Sequence, residues 1–452
     1  MPTPSRVSTS ELGMRSSDLA GLRVLVLGTG REAVAVAQYL GSSIAELVAA
    51  DDTDGASAAE FREQWGRVLI APNPAEVIGQ FDVVVKSPGI SPRHPLVAAL
   101  LEAEVPITSG TDLWMNEHAA TTTAVTGSKG KSTTSSLIHH VSVELGIDAV
   151  FGGNIGIPVL SLPDAARTVL ELSSYQSQSL TVSPQIVVLT SLFPEHLDWH
   201  GSAEQYFADK LNIAAHGPSQ VLVNAEDALL LEWVTRLGIE HELVGDSGRW
   251  AVRDEWITRA GEPMVPLSAL QLRGRHNAVN AALALAAVEA SGVAVDAASA
   301  RAALAGFAPL EHRLEPIADP SGLIFINDTL STSPFATIQA LKAFEGSDIV
   351  VLLGGQDRGV DYTPLADHLR AHPVVAAVGL PPSGLRILSE LESTDVPTQL
   401  ATDMLDAVSR ARVLAPAGGV VLLSPAAPSY GIYRDYAQRA EAFRAAIEAT
   451  SS

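Results

Sequence analysis

The chain has 452 residues, 47% hydrophobic and 18% charged, a globular composition long enough for about three domains. It contains no cysteine, which excludes disulfides, zinc–thiolate centres and cysteine nucleophiles. A net charge of −22 argues against a general nucleic-acid surface, and no apolar run reaches the ~18 residues of a membrane span. The N-terminal "MPTPSRVSTSELGMRSSDLAG" is polar and lacks the apolar stretch of a secretory signal, so a soluble cytoplasmic protein is expected.

In chain order, "LRVLVL" at residues 22–27 reads as a strand ending in Gly28-Thr29-Gly30 and followed by the helical "REAVAVAQYLG". "IAELVAADD" and "FDVVVKSPGI" read as further strands. A new segment opens with strand "TTAVTG", a glycine loop, and a helix whose Leu137, Ile138, Val141 and Leu145 share one face. "RTVLELSS", "QIVVLTSL" and "QVLVNAED" read as strands, and "NAVNAALALAAVEASG" as a long helix closed by Gly292. The βα rhythm then repeats through "GLIFINDT", a helix from Pro334, "DIVVLLGG", "VVAAVGL", "VVLLSPAAPS" and a C-terminal helix to about residue 448. Strands alternating with helices predict an α/β chain of three domains, residues 1–120, 121–309 and 310–452, with mostly parallel sheets.

The strongest chemical signal is "TGSKGKST", Gly127 to Thr133, between a strand and a helix. Only two residues separate its glycines, where the common phosphate loop has four. The context lets backbone amides converge on an anion, with Lys131 reaching phosphates and Ser132 or Thr133 available to Mg²⁺; a plain glycine turn is the alternative. The chain has only five lysines, Lys86, Lys129, Lys131, Lys210 and Lys342, and two lie in this loop. Gly28-x-Gly30-x-x-Ala33, with Asp51 downstream, fits a dinucleotide fingerprint, a mononucleotide diphosphate site, or a structural turn. Glu171 lies in an apolar strand, where a carboxylate needs a partner or a metal. "FPEHLDWHGSAEQYFADKLNI" gathers Glu195, His196, Asp198, His200 and Lys210, which could equally be a solvated loop and helix; Asn277 and Asn280 share a face at the start of the long helix.

These motifs, in order SPG, TGSKGKST, GGNIG, ELSSYQ, EHLDWHG, ADKLNI, NAED, GRHNAVN, EHR, INDT, GGQDRG and SPAAPS, resemble the Mur ligase family across nearly the whole chain, and most closely its glutamate-adding MurD branch. That family's loop is TGxxGK[ST], which accounts for the short spacing. The resemblance implies a Rossmann-like N-terminal domain, a central P-loop-type ATPase domain and a Rossmann-like C-terminal domain, in an ATP-dependent, monomeric ligase that joins glutamate to UDP-N-acetylmuramoyl-L-alanine through an acyl phosphate. It assigns the UDP substrate to Arg31, Asp51, Ser87, Pro88, Gly89, Asn154 and Ser173. It assigns ATP to Gly127, Ser128, Lys129, Gly130, Lys131, Ser132, Thr133, Asn277, Asn280, Arg313 and Asp328. Lys131, Glu171, His196 and Lys210 would be catalytic. Two Mg²⁺ ions would be served by Ser132 and Glu171, and by His196 and a Lys210 carbamylated by CO₂.

Glutamate would meet Thr332, Arg358, Ser429 and Tyr436. In this last region the sequence departs from the usual D-glutamate pattern: Leu330 and Arg358 replace lysines, and Gly431 replaces an aspartate. Arginine grips a carboxylate as a fork where lysine is a point charge. "GGQDRG", "APSYG" and "YRDY" are similar to the branch that adds L-glutamate, which is the isomer expected here; D-glutamate is the alternative. A nicotinamide dehydrogenase, a folate-type sister ligase and a non-catalytic ATP-binding regulator are the competing readings. The first leaves the Gly127 loop, Glu171 and Lys210 unexplained.

Overall fold

The computed structural model describes residues 13–272, 274–308, 311–357 and 359–451; Arg358 and the Asp198 side chain lie outside the described residues. The chain forms two compact units, Met1–Ala269 with Val279–Gly306, and Leu270–Ala278 with Phe307–Ser452.

The first unit holds two sheets. In one, β1 (Arg23–Leu27), β2 (Glu46–Asp51), β3 (Val68–Ile70), β4 (Val83–Lys86) and β5 (Ile107–Thr108) run parallel in the order β3-β2-β1-β4-β5. Both faces are covered, which is why "RVLVL" and "VVVK" are unbroken apolar runs. Val24 and Val26 enter one core, while Leu25 and Leu27 point to the other face with Val48 and Val84. The strand order reverses between β1 and β4, and their carboxyl ends carry Gly28 and Ser87, the usual place for a ligand crevice in such sheets.

The other sheet contains β6 (Thr122–Thr126), β7 (Ala149–Gly153), β8 (Arg167–Glu171), β9 (Ile186–Leu189), β10 (Gln220–Asn224), β11 (Glu242–Gly245), β12 (Trp250–Arg253), β13 (Trp256–Arg259) and β14 (Glu262–Pro266). Its order is β14-β13-β12-β11-β10-β9-β6-β8-β7; neighbours pair parallel up to β12, and the β12–β13 and β13–β14 pairings at the edge are antiparallel. That antiparallel edge is absent from the expected pattern. Its turns are short and turn on left-handed residues, Asp254 at φ 49°, Ala260 at φ 51° and Gly261 at φ 85°. The apolar core is continuous from Val24 through Leu113 and Met115 to Ala124, Leu170 and Val187, so the two sheets share one interior.

The second unit has β15 (Glu315–Ile317), β16 (Ile324–Asn327), β17 (Ile349–Leu353), β18 (Ala376–Gly379), β19 (Thr398–Leu400) and β20 (Val420–Leu423), ordered β15-β16-β20-β17-β18-β19. Only β15 is antiparallel. The helices begin where the sequence signals them: Pro334–Ala343 starts on its proline, and Tyr436–Ala449 is capped by the Asp435 carboxylate accepting from Gln438 N–H. Among the described residues no helix is long and apolar enough to cross a membrane.

Asp319 ties the end of this unit together. Arg412 donates to both its oxygens at 2.6 and 3.0 Å, and Ser451 Oγ donates to Oδ1 at 2.8 Å. These bonds, from a carboxylate with no exposed side-chain surface, hold its pKa far below the usual range, with Arg412 the largest cause. A carboxylate whose folded-state pKa is depressed stabilises the fold above its ordinary value of about 4 and loses that contribution as pH falls below it. Urea unfolding followed between about pH 6 and pH 2 should therefore show a stability loss that Asp319→Asn flattens; an unchanged slope in the variant would contradict the assignment.

Candidate active site

The carboxyl ends of β8, β6 and β9 lie side by side, and the candidate catalytic groups project from there. β6 ends in the loop Gly127–Gly130, whose glycines adopt φ of 150° and 89°, and Lys131 opens the helix Lys131–Glu144. A side chain at Gly127 would begin 2.0 Å from Thr190 Oγ1 and 2.9 Å from Ser191 N, so this position must be glycine. Two loop amides are already committed: Ser128 N donates to Ser191 O at 2.8 Å and Lys129 N to Ser191 Oγ at 2.8 Å. The first helical turn, Lys131 to Thr133, presents the remaining amides and the positive end of the helix dipole. Lys131 Nζ donates to Gly127 O at 2.9 Å and Ser128 O at 3.0 Å.

Two buried ionisable groups face this loop. Lys210, on the helix Ala203–Leu211, is 2% exposed and donates to Gly127 O at 2.9 Å. Burial, and then the Lys131 charge, push its pKa well below the usual lysine value, against the pull of Glu195. Glu171 ends β8 at 1% exposure, in register with Val125 of β6. Its Oε1 accepts from Asn154 Nδ2 at 2.7 Å, while Oε2 is buried with no hydrogen bond. A buried carboxylate oxygen left unpaired is costly and fits a cation as its partner. Among the described residues, no three His, Asp or Glu side chains form a metal cage by themselves.

His196 stands in the left-handed region at φ 55°, its ring centroid 5.1 Å from that of Tyr175. Desolvation first, then the nearby lysines, push its pKa down to about 4, with Glu195 opposing, so the imidazole is neutral and able to act as a ligand. Glu195 itself is a functional candidate that the sequence placed only in a polar cluster. Lys129 Nζ is 3.0 Å from its Oε1. Burial would raise its pKa, but the Lys129 and Lys131 charges outweigh that and lower it.

His200 forms what looks like a catalytic relay: Nε2 lies 2.9 Å from Ser174 Oγ and Nδ1 lies 2.6 Å from Asp209 Oδ2. Ser174 is 2% exposed, so no substrate carbonyl reaches it; the relay braces the Lys210 helix against the turn after Glu171. Trp199 docks the same segment on the Ser87-Pro88-Gly89 turn, donating from Nε1 to Gly89 O at 2.9 Å.

That turn lines a cavity of about 340 Å³ at the first sheet's switch point. Arg31, Asp51, Ser87, Pro88, Gly89, Asn154 and Ser173 all line it, joined by Tyr175 and Gln176, which the sequence did not single out. Asn154 thus touches both this cavity and Glu171. Lys86, buried beneath the turn, donates to Ile90 O at 2.8 Å, and burial lowers its pKa to about 8.

Asn280 Oδ1 lies 3.0 Å from where a side chain on Gly130 would begin, so it reaches the phosphate loop; Asn277 is buried on the same helix. In the second unit Asp328 is 1% exposed, 3.6 Å from Arg313 and bonded by Ser424 Oγ at 2.9 Å. Ser429 lines a small cavity with Thr402, Asp403, Tyr433 and Arg439, while Thr332 and Tyr436 lie outside its lining; Arg358 is outside the described residues. Arg439, which the sequence did not signal, is buried and donates to Thr329 Oγ1 and O at 2.7 Å and to Ala427 O at 3.0 Å.

The fold is that of a Mur-type ligase. UDP-N-acetylmuramate–alanine ligase MurC from Thermotoga maritima superposes with a TM-score of 0.59 over 95% of this chain and 100% of its own, at 21% identity. The Mur ligase middle domain profile matches residues 125–288. The UDP-N-acetylmuramoyl-L-alanine–L-glutamate ligase of Salinispora tropica is 46% identical over 97% of this chain and 100% of its own length. The protein of the same name from Xanthomonas axonopodis pv. citri is 36% identical over 95% and 96%. The chain belongs to the Mur ligase family.

Gly127→Ala places a methyl group inside Thr190 and strains the backbone, and should cost about 2–3 kcal/mol of unfolding free energy. Urea midpoints of the two proteins measure it, and equal midpoints would show that the loop and the β9 end are free to part.

Proposed function

We propose that the protein is an ATP-dependent ligase that joins L-glutamate to UDP-N-acetylmuramoyl-L-alanine in peptidoglycan precursor synthesis. The observation that carries this reading is the placement of the Gly127 loop, a half-satisfied buried Glu171 and a buried, pKa-lowered Lys210 at the carboxyl ends of adjacent strands β6 and β8. The names of the relatives supply the substrate, and the cavity at Gly28 and Ser87 supports a place for its UDP end. Asn154, reaching from that cavity to Glu171, supports a substrate arm that runs from one sheet to the other.

In this reading the substrate carboxylate attacks the γ-phosphorus of ATP. The bond to the bridging oxygen breaks and ADP leaves, giving an acyl phosphate. The glutamate amine then attacks the acyl carbon, phosphate departs, and the amine proton is lost to solvent or a base. Positioning and charge neutralisation supply most of the catalysis. The loop backbone from Gly127 to Gly130, Lys131 and the first helical turn hold the phosphates. Asn277 and Asn280 serve the nucleotide, and the resemblance gives Arg313 and Asp328 to it as well. Ser132 and Glu171 would hold one Mg²⁺, with His196 and modified Lys210 holding a second. Bound Mg²⁺ offsets phosphate charge as the new bond forms. Ser429, Thr332, Tyr436 and Arg358 serve the incoming glutamate.

Lys210 suits carbamylation on physical grounds. Burial disfavours the Lys210 ammonium and so favours the free amine, whose lone pair adds to CO₂, forming a C–N bond and releasing a proton. The product is an anion beside Lys131, where an ammonium is disfavoured. The carboxylate gained would add an anionic oxygen donor near His196.

Phosphate release with ATP, Mg²⁺ and UDP-N-acetylmuramoyl-L-alanine should require L-glutamate; turnover with D-glutamate alone would overturn the isomer. Lys210→Ala should lower kcat by about 100-fold or more and recover part of it with a short-chain carboxylic acid in the buffer. Full activity without the additive, or no recovery with it, would count against the carbamate.

A further inference from the structure

The phosphate loop carries two lysines that make different contacts. Lys131 folds back over its own loop, while Lys129 reaches Glu195, 3.0 Å away, with side chains only 21% and 15% exposed. The Lys129 main chain is gripped from the same direction: its carbonyl accepts from Thr190 Oγ1 at 2.6 Å and Ser191 Oγ at 2.9 Å, and its amide donates to Ser191 Oγ at 2.8 Å. Ser128 Oγ accepts from Phe193 N at 2.9 Å. Every one of these partners belongs to the stretch that leaves β9 and leads into His196.

The tethers thin out along that stretch. Thr190, Ser191 and Phe193 are bonded to the loop through backbone or hydroxyl groups, and Pro194 has no amide to donate. His196 then adopts a left-handed backbone, which for a non-glycine residue costs about 1 kcal/mol or more and persists only when its surroundings hold it. Glu195 is the last residue before it, and it pairs with the loop through Lys129. A pair this sheltered from water is worth more than one on the surface, and removing one partner leaves the other charge uncompensated.

We propose that Lys129 is a positioning residue: its ion pair with Glu195 straps the His196 segment to the phosphate loop, while the loop amides and Lys131 hold the phosphates. The pair persists when nucleotide binds, so Lys129 sets where His196 stands relative to Lys210 and contributes little to nucleotide affinity. This inference rests on the ATP-ligase reading given above.

The test uses the full-length enzyme and the variants Lys129→Gln, Glu195→Gln, both together, and Lys129→Arg. Three quantities are read: ADP affinity by calorimetry in EDTA, kcat with its Mg²⁺ dependence, and amide hydrogen exchange over residues 195–200. Each glutamine variant should keep metal-free ADP affinity within about threefold, lower kcat by about 10- to 100-fold, demand more Mg²⁺, and speed exchange at 195–200. The double variant should be no worse than the poorer single, and Lys129→Arg, which keeps the charge, should lose clearly less than Lys129→Gln. Metal-free ADP affinity that falls about tenfold or more in Lys129→Gln but not in Glu195→Gln would overturn the strap, making Lys129 a phosphate ligand. Additive losses, unchanged exchange, or an arginine variant as poor as glutamine would overturn it too. If the parent enzyme releases no phosphate with any substrate pair, the ligase reading fails, and the strap is then decided by the exchange and ADP measurements alone.

Discussion

Gly127 and Thr190 compete for one small volume, and the candidate active site depends on how that contact resolves. With no side chain on Gly127, the end of β9 closes on the end of β6, and hydroxyls of Thr190, Ser191 and Ser128 stitch the two together. Everything else in the site hangs from this seam. Lys210 and Lys131 both donate to the Gly127 carbonyl, and the stretch beyond Thr190 carries Glu195 and His196. A seam made of backbone and short side chains has few rotamers to lose, so it positions groups at low entropic cost.

Charge is used with the same economy. The chain is strongly acidic, yet three of its five lysines, Lys129, Lys131 and Lys210, converge on this seam, where Glu171 and Glu195 answer them. An ammonium is a compact charge whose pKa moves with burial, and Lys210 exploits that property. Arginine appears where a fixed fork is needed, as in the two-pronged grip of Arg412 on Asp319 and the carbonyl contacts of buried Arg439. Net charge therefore describes solubility, while the local arrangement of a few cations describes the site.

Much of the fold was legible because buried parallel strands leave unbroken apolar runs. "LRVLVL", "DIVVLLGG" and "VVLLSP" became β1, β17 and β20, and Pro334 did begin its helix. The antiparallel edge β12 to β14 was missed because its strands are four or five residues long and joined by turns without the usual Asn-Gly signal. In the site, glycine spacing and a carboxylate in an apolar strand were visible as chemistry. Glu195 was visible only as one member of a polar cluster, and Tyr175, Gln176 and Arg439 were not singled out, since polar residues in loops and helix starts look alike until folding gives them neighbours. His200 shows the converse: its triad geometry exists, but burial of Ser174 makes it a brace.

The sequence by itself determined the class of elements and their order, the phosphate loop and the membership of a ligase family, because periodicity and motif spacing are local properties of a chain. Only the tertiary structure decided what each charge does. It left one oxygen of Glu171 without a hydrogen bond, buried Lys210 so that its ammonium is disfavoured, and turned Lys129 onto Glu195. Those outcomes depend on desolvation and on partners far apart in the chain, 66 positions in the case of residues 129 and 195. No reading of neighbours along a sequence contains them.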